Sequence, residues 1–476
     1  MVGQALHRAR FARLEEVWPL LSPAFSPDGV LLGTRRLLLR KRFACVRSTK
    51  QRRELGNLLI VAPTRSGKGL LAVSQLLTWH HSVIVNDIKG DLFAQTAGFR
   101  SLLGPVYVLD PTGVGHAYDP MSGKTTEDAL YASAAHLLHQ AEERDQIFTQ
   151  RATTMLACMF AAARREGTPP LPYVRAMLHA GLGACVERLN NVSPELATSF
   201  LNVRLENANL TDRFLLSAWG TLDARLRPLL TETVICSLAR SDFTPAEIIT
   251  GSRPVTVYLR WPEQHLLALA PLVRLLWGSL IDEMVSAYDQ RAGQGCHPVM
   301  LLVDEAGRTA IPSLADHSTT VVGRGISLWL AVQSLSQLEV VYGKVRAQVL
   351  RDNMESQLYY RPTDVATAMY VEERCGRRSA YAHHTTEQKD HTSEGRSEQA
   401  VPLLSTQDFL RYKDHEVIGF HRALPPFKLA RMDWRQHPML QKRRTISPPQ
   451  LSALPVVVDV PMMGGSDRSH YIDPDR

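Results

Sequence analysis

The segment Asn57-Leu-Leu-Ile-Val-Ala-Pro-Thr-Arg-Ser-Gly-Lys-Gly69 decides the fold. Leu58–Val61 is a short apolar run of strand length, a polar turn follows, and Leu70–Trp79 reads as a helix. A strand that runs through a tight loop into a helix presents backbone N–H groups and a helix N-terminus to one point, which is what a phosphate needs. Gly67 lets the backbone approach closely, and Lys68 bridges β- and γ-phosphates. The candidate nucleotide-binding set is therefore Pro63, Thr64, Arg65, Ser66, Gly67, Lys68, Gly69 and Leu70. Two positions depart from G-x-x-x-x-G-K-[ST]: Ala62 stands for the first Gly, and Gly69 for the hydroxyl residue that ligates Mg²⁺.

Such a loop calls for an acidic pair at the end of a buried strand, and Val299-Met-Leu-Leu-Val-Asp-Glu305 supplies one. Asp304 is the candidate Mg²⁺ residue, and Glu305 the group that polarises an attacking water. One strand later, Gln333 closes the run Leu328–Val332 and is placed to sense a γ-phosphate. Arg324, between Gly323 and Gly325, suits a finger that reaches a neighbouring subunit's phosphate, although a plain surface role fits it as well. Asp87 and Lys89 follow the strand Val83–Val85 and read equally as site residues or as turn chemistry. Phe148, Trp219 and Trp277 fall at helical positions and read as core rather than as base-stacking groups.

Outward from these motifs, β-branched runs at Val106–Leu109, Val255–Leu259, Gln357–Tyr360 and Glu416–Phe420 complete an α/β pattern with a mostly parallel sheet. The pattern lapses between the phosphate loop and the acidic pair. Asp128–Ala141, Gln146–Arg165, Pro172–His179 and Asp212–Arg240 read as helices, so an all-α domain is expected over 126–240. It divides the nucleotide-binding domain into 54–125 and 241–441. Residues 376–399 read as a polar loop and 442–476 as a Pro-rich extended tail.

Apolar residues make up 45% of the 476 and charged residues 21%, which excludes a disordered chain. Six scattered cysteines without metal or disulfide spacing suit a reducing compartment. The apolar stretch His265–Ile281 contains Arg274 and reads as too short to cross a bilayer. The net charge of +7 is concentrated at the front, where residues 1–53 hold twelve Lys or Arg against three acids. This reads as a basic arm for nucleic acid or an anionic membrane, or as a solvated linker. Leu6, Leu14, Val17, Trp18 and Leu21 have near-helical spacing, so 5–21 reads either as an amphipathic helix in peripheral membrane contact or as a helix packed on the body.

With those residues in place, the chain resembles the TraG-like type IV secretion coupling ATPases. The resemblance rests on Ala62–Gly69, Leu76-Leu-Thr-Trp79, Asn86-Asp-Ile-Lys-Gly-Asp91, Asp110-Pro111 and Val303-Asp-Glu-Ala306. It continues through Gln333-Ser-Leu-Ser-Gln-Leu338, Tyr342-Gly343, Asn353 and Pro402-Leu-Leu-Ser405. These words occur in family order over about residues 29–435, and family members also carry Gly directly after the loop lysine. The resemblance implies a RecA-like P-loop NTPase with an inserted all-α domain, similar to the FtsK–HerA ring motors, using ATP and Mg²⁺ as a homo-hexamer. It further implies DNA with a relaxase, or another secreted protein, as cargo, and type IV secretion channel components as partners. The expected location is cytoplasmic, at the inner face of the cell membrane. The departure is that no transmembrane helices are read ahead of the ATPase domain. An FtsK-like double-stranded DNA translocase and a non-hydrolysing ATP-switched adaptor are the alternative readings.

Overall fold

The computed structural model describes residues 8–37, 40–48, 54–138, 146–308, 311, 313–388 and 391–456. A single turn, α1 (Leu14–Val17), leads to β1 (Leu21–Ser22) and the antiparallel pair β2 (Val30–Leu37) and β3 (Arg40–Val46). Then come β4 (Leu58–Val61), α2 (Lys68–Thr78), β5 (Ser82–Asp87), α3 (Asp91–Leu103), β6 (Val106–Asp110) and β7 (Val114–Gly115). A helical block follows: α4 (Glu127–Leu138), α5 (Gln146–Arg165), α6 (Pro170–Ala180), α7 (Leu182–Val192), α8 (Pro194–Leu201), α9 (Arg213–Leu226) and α10 (Glu232–Leu238). After α11 (Pro245–Thr250) the strands resume with β8 (Thr256–Arg260), α12 (Leu266–Gln290), β9 (Val299–Val303), α13 (Ser313–His317) and β10 (Ile326–Val332). Next are α14 (Leu335–Tyr342), α15 (Lys344–Asp352), β11 (Ser356–Tyr360) and α16 (Val365–Cys375). The chain continues through β12 (Arg377–Gln388), β13 (His391–Pro402), α17 (Thr406–Leu410), β14 (Glu416–His421), β15 (Phe427–Ala430) and α18 (Pro438–Arg444).

Among the described residues, thirteen strands form one sheet in the order β1-β3-β2-β15-β14-β11-β4-β10-β9-β5-β8-β6-β7. From β11 to β6 every pairing is parallel. The alternation of a strand explains the two layers on its faces. Leu58 and Ile60 share one core with α2, α3 and the β2–β3 pair, while Leu59 and Val61 share another with the helical block and α12. Strands buried on both faces need continuous apolar runs, which is why β4, β9 and β10 stand out in the sequence. The helical block is tied to α12 by Tyr118, whose hydroxyl donates to Glu283 Oε1 at 3.0 Å and meets Ser279 Oγ at 2.9 Å.

Several sequence expectations are corrected. The front of the chain is no free arm, because Val30, Leu31, Leu32, Phe43, Ala44, Cys45 and Val46 are buried and β2 pairs with β15. The helix expected over 5–21, amphipathic or packed on the body, is a four-residue turn, Leu14–Val17, that tightens into a 3-10 turn over Trp18–Leu20. Val17, Leu20 and Leu21 pack inward, and Arg42 stacks over Trp18 at 4.6 Å; residues 1–7 lie outside the described residues. The polar stretch 376–399 is not a loop but a two-stranded ribbon, β12 against β13. Helix α12, at 25 residues, is longer than the apolar stretch noted in the sequence. The segment Glu263–Gln290 is long and apolar enough to cross a membrane, yet 61% of its most apolar window is buried against the chain, as in a core helix.

The C-terminal stretch up to residue 456 is held by packing. After α18 it crosses α3 at Gly98 and bridges Val114 through Ala453, and Leu454 is buried with Ala117 and Cys236. Residues 457–476 lie outside the described residues. A Cβ at Gly98 would sit 2.0 Å from the Ile446 carbonyl oxygen, so the crossing requires glycine. Gly98→Ala is expected to lower stability by about 1–3 kcal/mol through overpacking. Limited proteolysis of the variant should cut at 445–456 sooner than in the parent; equal protection would mean that the crossing does not hold this stretch.

Candidate functional site

Parallel strands bring their C-terminal ends to one edge. Val332 lies beside Val61, Leu330 beside Val303, and Asn86 beside Val303. The segments after β4, β9, β10 and β5 therefore converge, although up to 271 residues separate them in the chain. At that edge they line a cleft of about 510 Å³. Pro63, Thr64, Arg65, Gly67, Lys68, Gly69, Leu70, Asp304, Glu305 and Gln333 all face it, and so do Asp87 and Lys89.

The loop is shaped by local hydrogen bonds. Ser66 turns inward, its hydroxyl donating to the Pro63 carbonyl at 2.6 Å. Arg65 and Gly67 take left-handed backbone angles, φ 65° and 105°, and α2 starts directly after. Lys68 Nζ lies 3.0 Å from Asp304 Oδ1 and 3.6 Å from Glu305 Oε1. Lys89 approaches Glu305 Oε1 at 3.6 Å, and Arg308 approaches its other oxygen at 3.8 Å. Gln333 is held from two sides: its side-chain oxygen accepts from Thr64 Oγ1 at 3.3 Å, and its backbone N–H donates to Gln337 Oε1 at 3.0 Å. Gln337 in this position lies against Gly307, where a Cβ would fall 2.0 Å from its amide carbon and displace the side chain.

Asp87 caps α3, accepting from the N–H groups of Leu92 at 3.3 Å and Phe93 at 2.7 Å. Burial pushes its carboxyl up to about 6 against those bonds, and the charge of Asp304 adds to the rise. Neighbouring Asn86 donates to the Asp304 carbonyl at 3.4 Å and accepts from Trp261 Nε1 at 3.1 Å, which ties β5 to the acidic pair.

Whether phosphate and Mg²⁺ suit the site can be judged from the atoms whose hydrogen bonding is incomplete. Among the described residues, buried Lys68 Nζ, Asp304 Oδ1 and Glu305 Oε2 meet their partners only as ion pairs, Lys68 with Asp304 at 3.0 Å and Arg308 with Glu305 at 3.8 Å, without hydrogen-bond geometry. A buried cation and two carboxylate oxygens left so are the groups a triphosphate and its metal ion satisfy. Among the described residues no cluster of three or more His, Cys, Asp or Glu side chains could hold a metal alone, so Asp304 would share the ion with phosphate oxygens. Among the described residues, apart from the chain neighbours and the helix's own backbone, nothing lies within 4 Å of a Cβ placed at Gly69, so the place of the missing hydroxyl is open.

Arg324 is not brought to this cleft. It precedes β10 and so lies at the opposite edge of the sheet, where it grips Asp289 bidentately at 2.8 and 2.9 Å. Trp277 is fully buried, while Phe148 and Trp219 are half-buried against Phe214 and Phe200. Sequence reasoning missed Arg431, Trp434 and Arg435, which also line the cleft. Their only signal was an aromatic between two arginines after a strand, more than 360 residues from the loop they touch.

Residues 35–452 match the family described as Type IV secretory system Conjugative DNA transfer. The chain is 26% identical over 433 residues to Protein VirD4 of Agrobacterium fabrum, covering 86% of this chain and 63% of that protein. It is likewise 26% identical over 399 residues to the Conjugal transfer protein TraG of Escherichia coli, covering 75% and 61%. The chain thus spans about three-fifths of the length of these relatives. In fold it is similar to the bacterial conjugative coupling protein TrwBdeltaN70, with a TM-score of 0.60, 17% identity, and coverage of 79% and 84%. TrwB in complex with ADP and Mg²⁺ gives a TM-score of 0.59 at 16% identity, over 83% and 86%. These likenesses identify the fold as that of a RecA-like P-loop NTPase. The sheet order, the convergent loop and acidic pair, and the match over 35–452 place this chain in the type IV secretion conjugative DNA transfer family, among coupling proteins of the VirD4, TraG and TrwB type.

Proposed function

We propose that this protein is an ATP-hydrolysing coupling protein that recruits DNA, or a relaxase–DNA complex, and drives it into a type IV secretion channel. The observation that carries the reading is the meeting of Lys68 with Asp304 and Glu305 at the end of the phosphate loop, within a chain of this family. Support for the ligand comes from TrwB, which has been solved with ADP and Mg²⁺ and with a non-hydrolysable ATP analogue. Lys68 supplies counter-charge to the terminal phosphate, Glu305 orients and deprotonates water, and Gln333 is held by Thr64 and Gln337 to face the same phosphate. Mg²⁺, held by Asp304, would neutralise phosphate charge. The working form is a homo-hexameric ring at the inner face of the membrane, with cargo and channel components as partners.

Removing the counter-charge or the base should separate binding from turnover. Lys68→Ala is expected to lose hydrolysis and weaken ATP binding, whereas Glu305→Gln should bind ATP and hydrolyse it about 10³-fold more slowly or worse. DNA should stimulate the parent. Turnover of Glu305→Gln at the parent rate would show that the acidic pair is misassigned, and absence of turnover in the parent would favour an adaptor.

For Arg324 to act on a neighbour's phosphate, its grip on Asp289 must open. Arg324→Ala should then be inactive alone and partly rescued by mixing with Lys68→Ala, since mixed rings hold interfaces with one intact loop and one intact finger. Asp289→Asn, which removes only the in-chain partner, should stay active. No rescue at ring-forming concentrations, or equal loss in both single variants, would leave Arg324 a structural residue.

Peripheral membrane contact would fall on the β2–β3 pair, where Arg36, Arg40 and Lys41 are exposed. Each such charge is worth about 1 kcal/mol near an anionic bilayer. Arg36→Glu with Arg40→Glu is expected to reduce sedimentation with phosphatidylserine vesicles, and unchanged sedimentation would remove this contact.

A further inference from the structure

The sheet order gives the phosphate loop two different sides. The acidic pair follows β9, two strands away from β4 in one direction. In the other direction, β11 is parallel to β4, β14 antiparallel to β11, and β15 antiparallel to β14. Strand β15 therefore runs the same way as β4, and its C-terminal end delivers Arg431–Arg435 to the same edge from the far side. A triphosphate seated in the loop with its terminal phosphate toward Asp304 and Glu305 must direct its other end away from them.

The Arg431–Arg435 stretch is built for contact rather than left as a loose loop. Arg431 Nη1 donates to the Ser66 carbonyl at 3.2 Å, and its Cδ would lie 3.1 Å from a Cβ at Gly67. Asp433, itself buried, accepts from Arg435 Nε at 2.9 Å and Nη2 at 2.8 Å, which fixes that guanidinium at the cleft rim. Trp434 lines the cleft, backed by the Arg444 guanidinium 4.5 Å from its ring centre. Arg444 also donates to Gln95, another cleft residue, at 3.2 Å. The Trp434 Nε1 donor is buried and has no hydrogen-bond partner among the described residues.

We propose that Arg431, Trp434 and Arg435 form the nucleoside side of the cleft: Trp434 contacts the base, Arg435 the sugar end, and Arg431 locks this wall to the phosphate loop. The ligand class is a nucleoside triphosphate held by aromatic contact, a mode that suits any base with a π-face. The inference rests on the nucleotide reading of the same cleft.

Calorimetric titration of the full chain with ATP and, separately, with inorganic tripolyphosphate tests the two apart. Trp434→Ala should weaken ATP binding by about 5-fold or more while leaving tripolyphosphate within 2-fold of the parent. Trp434→Phe, which keeps a ring and guards against a folding defect, should recover most of the loss. Lys68→Ala should weaken both ligands. If Trp434→Ala binds ATP as the parent does, or loses tripolyphosphate to the same extent, the wall has no role in nucleoside recognition. If the parent binds neither ligand, the nucleotide reading falls first and the inference with it.

Discussion

Everything at the candidate site depends on Lys68 facing Asp304 and Glu305 across the ends of the central strands. Three charged groups are held with side-chain exposures of 11%, 20% and 15%, and their mutual attraction is set against a desolvation cost of several kcal/mol per ion. Such an arrangement is weak as a stabilising device, because the desolvation cost can exceed the Coulombic gain and the ammonium meets its carboxylates without hydrogen-bond geometry. It makes physical sense as a site kept for an anion and a cation. The sheet order is the constraint that creates it: β10 must lie between β4 and β9, so that the lysine and the acidic pair come within reach while Gln333 emerges between them.

That order also settles where the rest of the chain goes. Central strands buried on both faces require a cover on each side, and two different sources provide it. Helices α2 and α3, with β2 and β3, close one face, while α12 and the inserted helical block close the other. The block leaves the sheet after β7 and returns through α11 to β8, so more than a hundred residues are accommodated without breaking the parallel ladder. Movement of the block relative to the sheet would be felt first at Tyr118, Ser279 and Glu283, the hydrogen-bonded contact between its stem and α12.

How much of this was legible depended on the kind of signal. The phosphate loop, the acidic pair, Gln333 and the parallel strands could be read because burial on both faces writes them as unbroken apolar runs. Helix α5 was readable to the residue. The β2–β3 pair was not, since Arg35 to Arg42 dominate its composition while the buried residues that fix it, in 30–34 and 43–46, lie before and after them. The β12–β13 ribbon carries no apolar alternation, so only its backbone pairing reveals it. Asp289, the partner of Arg324, was likewise invisible, because their pairing is set by the end of α12 meeting the turn before β10. Arg431, Trp434 and Arg435 were out of reach for a similar reason: two strand reversals, β11 to β14 and β14 to β15, are needed to carry them to the loop, and no local pattern encodes that.

Backbone strain sharpens the division between the two sides of the cleft. Glu305 has φ 57° and Arg65 φ 65°, a region that costs a side-chain-bearing residue roughly 1–2 kcal/mol. Both residues line the cleft and neither is glycine. Strain of this kind persists only where surrounding contacts over-determine it, and here they do. Glu305 is drawn by Lys68, Lys89 and Arg308 together, and Arg65 belongs to a turn closed by Ser66 and braced by Arg431. A glycine at 305 would relieve the backbone but remove the carboxylate that those three cations hold. The chain keeps the strained acid, as the proposed role of Glu305 toward water requires.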